Sequence, residues 1–203
     1  MSIIRRRLVF SAAATVLGAP ASAIRAQTAT APTPSSTEGP FYPENYTREP
    51  VTQLMRGALM GSAIPLALSG RILDRFGKPV DGARVEIWQA DGVGRYTHSR
   101  DGEVKDRDPN FAGFGWMRTG ADGAYAFSSI RPVPYTGRTP HIHFAVIAPR
   151  AKKLVTQMFV DGVAQNERDY LYTSIPRAQR AAVTAKLEGD AKGQRTSFDL
   201  ILG

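Results

Sequence analysis

The 203-residue chain contains no cysteine and only three histidines. The absence of cysteine excludes a disulfide framework, a thiolate metal site and a cysteine nucleophile. Any metal ion must therefore be bound through nitrogen and oxygen. The apolar run at residues 8–18 is too short to span a bilayer as a permanent anchor.

The N-terminus has the three parts of an export signal. Arginines occupy positions 5–7, the apolar run follows, and the small residues at 21–23 form a cleavage site. We therefore expect a signal peptide at residues 1–23 and a mature protein that is exported to the periplasm or secreted. The arginines resemble a twin-arginine signal, and general secretory export is the alternative. Residues 24–36, rich in Thr and Pro, are expected to form a linker.

The formal net charge is +8, which raises the question of nucleic-acid binding. Three of the positive charges belong to the signal segment, and the others are scattered along the chain. There is no basic run and no interleaving of basic and aromatic residues. We therefore expect a solvated basic surface and no nucleic-acid partner.

Short strands punctuated by turn signals predict an all-β protein. The predicted strands are residues 66–73, 84–89, 125–127, 154–160 and 194–202. In the second of these, Val85 and Ile87 share one face while Glu86 and Trp88 share the other. Such spacing indicates an antiparallel β-sandwich or barrel. Residues 91–115 are expected to form a long loop of the kind that often carries function.

A short surface helix is expected near the C-terminus. Ser174 is placed to cap it, Pro176 fits its first turn, and Gly189 would end it. No chemistry is assigned to this helix.

Two of the three histidines occur in the tripeptide formed by His141, Ile142 and His143. Alternate side chains of a strand share a face, so the two imidazoles form half of a transition-metal site. A cupin-like site would need a glutamate shortly afterwards, and residues 145–149 contain none. A three-histidine zinc site would have to recruit His98.

The other candidate ligands are two loop tyrosines, Tyr96 and Tyr135. A free phenol has a pKa of about 10, and a hard trivalent cation strongly favours its ionised form. Two tyrosinates and two neutral imidazoles would suit ferric iron. Taken singly, a tyrosine is more often a buried aromatic with a hydrogen-bonded hydroxyl than a metal ligand. The zinc and iron sites therefore both remain open at this point.

Five stretches, in this order, resemble the intradiol ring-cleavage dioxygenases, the family of protocatechuate 3,4-dioxygenase and catechol 1,2-dioxygenase. They are EGPFY at 38–42, VEIWQA at 85–90, GRY at 94–96, RTPHIHF at 138–144 and LVTQM at 154–158. The resemblance runs from residue 37 to residue 202, and its spacing fits the protocatechuate branch better than the catechol branch. It implies a prealbumin-like β-sandwich domain at residues 37–203.

The resemblance also implies the roles of individual residues. Tyr96, Tyr135, His141 and His143 would bind Fe(III), with Tyr135 and His143 axial and the other two equatorial. Tyr135 would also leave the metal and take up the protons of the substrate. Arg138 would stabilise negative charge that develops during the reaction, and Gln157 would orient Arg138.

The implied reaction is cleavage of a catechol by dioxygen to a cis,cis-muconate-type diacid. Only residues 136–137 separate Tyr135 from Arg138, where protocatechuate dioxygenases have a longer loop. This implies a more open site, at which protocatechuate is not expected to be the substrate. The family often forms dimers or larger assemblies, which is compatible with a homo-oligomer. The competing hypotheses are a non-catalytic prealbumin-like binding module and a three-histidine zinc hydrolase.

Overall fold

The structure is a computed structural model that describes residues 30–44, 49–61, 63–102, 104–149 and 151–203. The predicted export signal at 1–23 lies outside the described residues. Within the described part of the chain, no helix has the length and apolar character needed to cross a bilayer.

Two five-stranded sheets form a sandwich, which confirms the all-β prediction. The first sheet contains β1 (Pro65–Leu73), β4 (Ala124–Ile130), β8 (Glu188–Asp190), β9 (Gly193–Ser197) and β10 (Leu200–Ile201). The second sheet contains β2 (Arg84–Trp88), β3 (Phe114–Arg118), β5 (His141–Ile147), β6 (Leu154–Val160) and β7 (Thr184–Ala185). Its strand order is β3-β2-β5-β6-β7. Pairing is mainly antiparallel, but β1 runs parallel to β9 and β10, and β6 runs parallel to β7.

The predicted last strand, 194–202, is divided into β9 and β10. Phe198 and Asp199 interrupt it, because the hydroxyl of Tyr125 donates to the Phe198 carbonyl and the Asp199 carboxylate accepts the N–H of Arg71 at 2.8 Å. Gly70 faces this interruption, and a Cβ there would overlap the Phe198 carbonyl oxygen. The division therefore depends on a contact between distant parts of the chain.

The C-terminal helix begins earlier in the chain and is shorter than the predicted one, which was capped by Ser174 and ended at Gly189. An α-helix, α1, spans Tyr170–Ser174, and its N-cap is Asp169, whose side chain accepts the N–H groups of Leu171 and Tyr172. Ile175 is extended, as expected for a residue before proline, and this ends α1. A 3-10 helix follows at Arg177–Val183, and Gly189 lies in β8. Further 3-10 helices occupy Val104–Asp106 and Ala164–Arg168.

Strand β5 is a central strand of the second sheet, and both of its faces are buried. It pairs with β2 on one side and β6 on the other. Its inner residues Ile142, Phe144 and Val146 are fully buried in the core between the sheets. The outer face carries His141 and His143, so the predicted metal ligands lie on the outside of the second sheet.

The segment 30–44 covers this outer face. Within the predicted linker, the N–H of Thr33 donates to Ile201 at 3.0 Å and the N–H of Ser36 to Val155 at 2.7 Å. Farther along, a Cβ on Gly39 would lie 3.5 Å from Cε1 of His143. The segment thus binds the body of the domain and ends beside the histidines.

Candidate metal centre

The structure brings together the four side chains that the resemblance assigned to iron. Ring centroids are separated by 4.7 Å for His141 and His143, 5.1 Å for Tyr96 and Tyr135, 5.5 Å for Tyr135 and His141, and 6.1 Å for Tyr96 and His143. Two come from adjacent outward positions of β5 and two from loops. Four polar rings therefore converge at one point on the sheet.

Tyr96 is placed by a tight loop after β2. The Asp91 carboxylate accepts the N–H of Arg95 at 2.9 Å and so closes the turn. Gly94 has a φ of +81°, and a Cβ there would lie 3.2 Å from the carbonyl oxygen of Pro134. A glycine at this position lets the loop approach the segment that carries Tyr135.

Tyr135 and Arg138 lie at the two ends of one tight turn. The N–H of Arg138 donates to the carbonyl of Tyr135 at 2.7 Å. Gly137 provides the positive φ of +74° that the turn requires, and Thr136 and Gly137 are exposed. The turn brings the cation of Arg138 next to the phenol of Tyr135.

Both histidines are present as neutral imidazoles. Nδ1 of His141 lies 2.6 Å from the carbonyl of Thr139 and donates to it, which leaves a lone pair on Nε2. This atom is 3.1 Å from Nε2 of His143. Burial, assisted by the charge of Arg138, lowers the pKa of His141 to about 4. Burial and the neighbouring His141 lower the pKa of His143 well below its ordinary value.

The two phenols differ in exposure. Tyr96 is 2% exposed, and its buried hydroxyl interacts with the side chain of Tyr135 but makes no hydrogen bond of good geometry within the described part of the chain. Burial, together with the adjacent Tyr135, raises its pKa well above the ordinary value. Tyr135 is half-buried, and burial raises its pKa although Arg138 acts in the opposite direction. Without a cation, both phenols therefore stay protonated.

This donor set fits ferric iron. The Tyr96 hydroxyl is a buried polar atom whose lack of a hydrogen bond of good geometry is costly, and a bond to a cation would satisfy it. Two neutral imidazoles supply nitrogen, and two phenols supply oxygen of the hard type that a trivalent cation prefers. The residues that would hold the ion are Tyr96, Tyr135, His141 and His143.

His98 does not join the centre. Its Nδ1 accepts the N–H of Arg100 at 3.1 Å, and its Nε2 lies 3.5 Å from Oε1 of Glu44. No group of three histidines or carboxylates able to hold a metal occurs among the described residues. The three-histidine zinc site is therefore not formed.

Aromatic rings wall the centre. The indole of Trp88 stacks on His143, and Phe41 stacks on Tyr96 with ring centroids 4.8 Å apart. In the sheet, His143 pairs with Trp88 on β2 and with Gln157 on β6. In the sequence, Phe41 and Trp88 stand out only as members of the family stretches, and no part in the site was predicted for them.

Arg138 is held by two side chains. Its Nη2 donates to Oε1 of Gln157 at 2.6 Å, which is the pairing that the resemblance implied. Its Nε donates to Oδ2 of Asp169 at 2.7 Å. Burial acts to raise the pKa of Asp169, but hydrogen bonds from Arg138 and the Thr139 N–H prevail, and the pKa lies below its ordinary value.

Asp169 was missed at the level of sequence. The signal that could have found it is local: an aspartate directly before the segment 170–174 is a typical helix N-cap. The cap would have placed the start of α1 correctly. The contact with Arg138 has no local signature.

A cavity of about 610 Å³ adjoins the centre. Its lining includes Phe41, Trp88 and Tyr96, together with Arg56 and Arg107. The centre is therefore next to open space that is larger than a single aromatic ring needs.

Comparison with known proteins identifies the family of the chain. The family model Dioxygenase_C, described as dioxygenase, matches residues 37–203. The protocatechuate 3,4-dioxygenase beta chain of Burkholderia cepacia is 36% identical over 151 residues, covering 68% of this chain and 63% of that protein. The hydroxyquinol 1,2-dioxygenase of Nocardioides simplex is 32% identical over 190 residues, covering 81% and 62%. The chain thus spans about three fifths of the length of these curated relatives.

A solved structure shares the fold over nearly its whole length. The dioxygenase domain of a dioxygenase carbohydrate-binding protein fusion from Streptomyces sp. SirexAA-E is 32% identical, with a TM-score of 0.67. The match covers 85% of this chain and 98% of that domain. Together with the family match across residues 37–203, this shows that the chain belongs to the intradiol ring-cleavage dioxygenases.

Proposed function

We propose that this protein binds ferric iron and cleaves a catechol-type aromatic with dioxygen between its two hydroxylated carbons. The product would be a cis,cis-muconate-type diacid. The observation that carries the proposal is the convergence of Tyr96, Tyr135, His141 and His143, with the two Nε2 atoms 3.1 Å apart. The chemistry that ferric iron supplies when bound is activation of a deprotonated catechol toward dioxygen.

Tyr135 is suited to accept a proton from the substrate. It is half-buried, whereas Tyr96 is 2% exposed, so substrate can reach Tyr135 more readily. Its pKa, raised by burial, favours the protonated phenol once the oxygen is no longer bound to a cation. A catechol would have to lose a proton before it reacts, and the Tyr135 oxygen would provide a place for that proton.

Arg138 provides a permanent positive charge beside the reacting atoms. It is buried and lies against the phenol side of the centre, where negative charge on the substrate would develop. A fixed cation in a site of low dielectric stabilises such charge without having to reorganise. Phe41 and Trp88 keep water away from the rings of the centre.

The substrate class that fits the site is a catechol. The turn at Thr136 and Gly137 is short and exposed, and the cavity beside Tyr96 leaves room for an aromatic ring. The two curated relatives are named for protocatechuate and hydroxyquinol, which supports an aromatic ring with two adjacent hydroxyl groups as the substrate.

The decisive experiment is the visible spectrum of the purified, iron-reconstituted protein, followed by a catechol panel in the ultraviolet. Tyrosinate bound to ferric iron absorbs visible light, so a wine-red sample and a muconate-type product are expected. A colourless protein that takes up no iron would overturn the proposal in favour of a non-catalytic binding module. A yellow semialdehyde product would mean extradiol cleavage and would also contradict it.

The proposal includes export. The arginines at 5–7, the apolar run at 8–18 and the small residues at 21–23 support a location outside the cytoplasm. Fractionation of cells that express the full chain would test this. Replacement of Arg5 and Arg6 by lysine should trap the protein in the cytoplasm if the route is twin-arginine export. Retention of wild-type protein in the cytoplasm would contradict export by either route.

A further inference from the structure

A buried carboxylate, that of Asp169, lies directly behind Arg138. Asp169 is 1% exposed, and it accepts Nε of Arg138 at 2.7 Å and Nη2 at 3.4 Å. It also accepts the backbone N–H groups of Thr139 at 3.0 Å, Leu171 at 3.0 Å and Tyr172 at 3.1 Å. One carboxylate thus joins the guanidinium, the strand that leads to the histidines and the start of α1.

Asp169 and Gln157, the two anchors of Arg138, bind two of the three guanidinium nitrogens and leave Nη1 for the site. Asp169 takes Nε and shares Nη2 with Gln157, whose Oε1 lies 2.6 Å from Nη2. Neither anchor uses Nη1. A planar group held at two of its three nitrogens cannot rotate, so its direction toward the centre is fixed.

The same segment also holds the backbone of Arg138. Nε2 of Gln165 donates to the Arg138 carbonyl at 2.9 Å, and the hydroxyl of Thr139 donates to Oδ1 of Asn166 at 2.7 Å. Residues 165–172 therefore fix both ends of the arginine, from about thirty positions farther along the chain.

We propose that Asp169 is a positioning residue for this reaction, which holds the guanidinium of Arg138 in the direction that lets it stabilise charge on the substrate. The inference rests on the proposed dioxygenase function. Gln157 is neutral and contacts one nitrogen, so it cannot fix the plane alone. Asp169 supplies the second attachment and the opposite charge.

The test is Asp169→Ser, since serine is a good N-cap for α1 but is too short to reach Arg138. Turnover per bound iron is expected to fall about 100-fold, since small displacements of a charged group have effects of this order. KM should stay within about threefold, because the lost interaction acts in the transition state. The visible band should not change. If Asp169→Ser does not fold, the isosteric variant Asp169→Asn tests the inference instead, and its kcat is expected to fall about tenfold.

A matched control separates positioning from helix stability. The hydroxyl of Thr173 donates to the carbonyl of Asp169 at 2.8 Å within α1 and does not contact Arg138. Thr173→Ala should lower the melting temperature but keep kcat. Adding Asp169→Ser to Arg138→Ala should cost no further turnover, because the two residues act through one group.

Failure of the inference is distinguishable from failure of the proposed function. If the wild-type protein cleaves a catechol while Asp169→Ser and Asp169→Asn keep the kcat of Thr173→Ala, the inference is overturned and the function stands. An additive loss in the double variant would equally overturn it. If the wild-type protein cleaves no catechol, the function itself fails.

Discussion

The indole ring of Trp88 lies parallel to the imidazole ring of His143, with centroids 4.7 Å apart and planes 10° apart. The two residues are paired in register on β2 and β5. Trp88 is 1% exposed, so its ring cannot turn away from the histidine. The indole is therefore a built-in reporter of what His143 binds.

Iron binding should quench the fluorescence of Trp88. The chain has two tryptophans, and the other, Trp116, lies under the guanidinium of Arg84 on the neighbouring strand. Addition of ferric iron to the metal-free protein should reduce total emission, and most of this loss should disappear in Trp88→Phe. The matched variant Trp116→Phe should retain it. Equal quenching in both variants would contradict the assigned position of the metal.

Phenylalanine substitutions should distinguish the roles of Tyr96 and Tyr135 in iron binding and turnover. Tyr96→Phe removes a buried oxygen that makes no hydrogen bond of good geometry to the described residues, so we expect it to lower iron occupancy most strongly. Tyr135→Phe removes the more accessible phenol and should reduce turnover while some visible absorption remains. Iron content by atomic absorption and the visible band would check both. An unchanged band in both variants would exclude tyrosinate ligation.

Arg138→Ala should keep the iron and its colour but lose turnover by about 10²-fold to 10³-fold, as is typical when a charge-stabilising group is removed. Arg138→Lys should have little more turnover than Arg138→Ala, because an ammonium cannot bind Asp169 and Gln157 in the geometry of a guanidinium. Steady-state kinetics normalised to iron content would measure both. Wild-type kcat in Arg138→Ala would refute its role.

The metal-free protein should lose stability in mild acid. The folded pKa of His141 is about 4, below the unfolded value near 6.5, so the unfolded state binds more protons in between. Stability is therefore full above about pH 6.5 and falls as the pH drops toward 4. From His141 alone, the free energy of unfolding should be about 2 kcal/mol lower at pH 5 than at pH 7.

Urea unfolding of the metal-free protein at these two pH values would measure this difference. His141→Gln should reduce the pH dependence, and His143 acts in the same direction as His141. A free energy of unfolding that does not change between pH 7 and pH 5 would show that the imidazoles are not buried in their neutral form.

Gly70→Ala should destabilise the fold. A Cβ at this position would overlap the Phe198 carbonyl oxygen, and a backbone atom cannot move aside cheaply. We expect a loss of about 2–3 kcal/mol, typical of overpacking. Gly193→Ala is the matched control, since a Cβ there would meet no atom of the described chain within 4 Å, its two chain neighbours aside. Equal melting temperatures for the two variants would contradict the close approach.

Local patterns predicted the parts of the fold that depend on neighbouring residues. A short strand-like stretch that ends at a turn signal predicted β6 at 154–160. The period of two in a strand predicted that His141 and His143 share a face. The interruption at Phe198 could not be predicted in this way. It depends on Tyr125 and Gly70, which meet Phe198 only once β1 and β4 have paired.

The same distinction applies to the site. The family stretches contain Tyr96, His141, His143, Arg138 and Gln157, and the resemblance adds Tyr135 just before the fourth stretch. The structure brings these side chains together. Asp169 lies 31 positions from Arg138, and its link to the arginine is a tertiary contact. His98, although one of only three histidines, is tied to Glu44 instead of the centre. Its residue type therefore said little about its role.

The turn between Tyr135 and Arg138 has a consequence for how the family diversifies. Its two central residues, Thr136 and Gly137, are exposed, while Arg138 is anchored by Asp169 and Gln157 and His141 is fixed on β5. Residues could be inserted at the turn without displacing Arg138 or His141, because neither is held by Thr136 or Gly137. A change of chain length at this one point would therefore alter the protein surface beside Tyr135 and leave the positions of Arg138 and His141 unchanged.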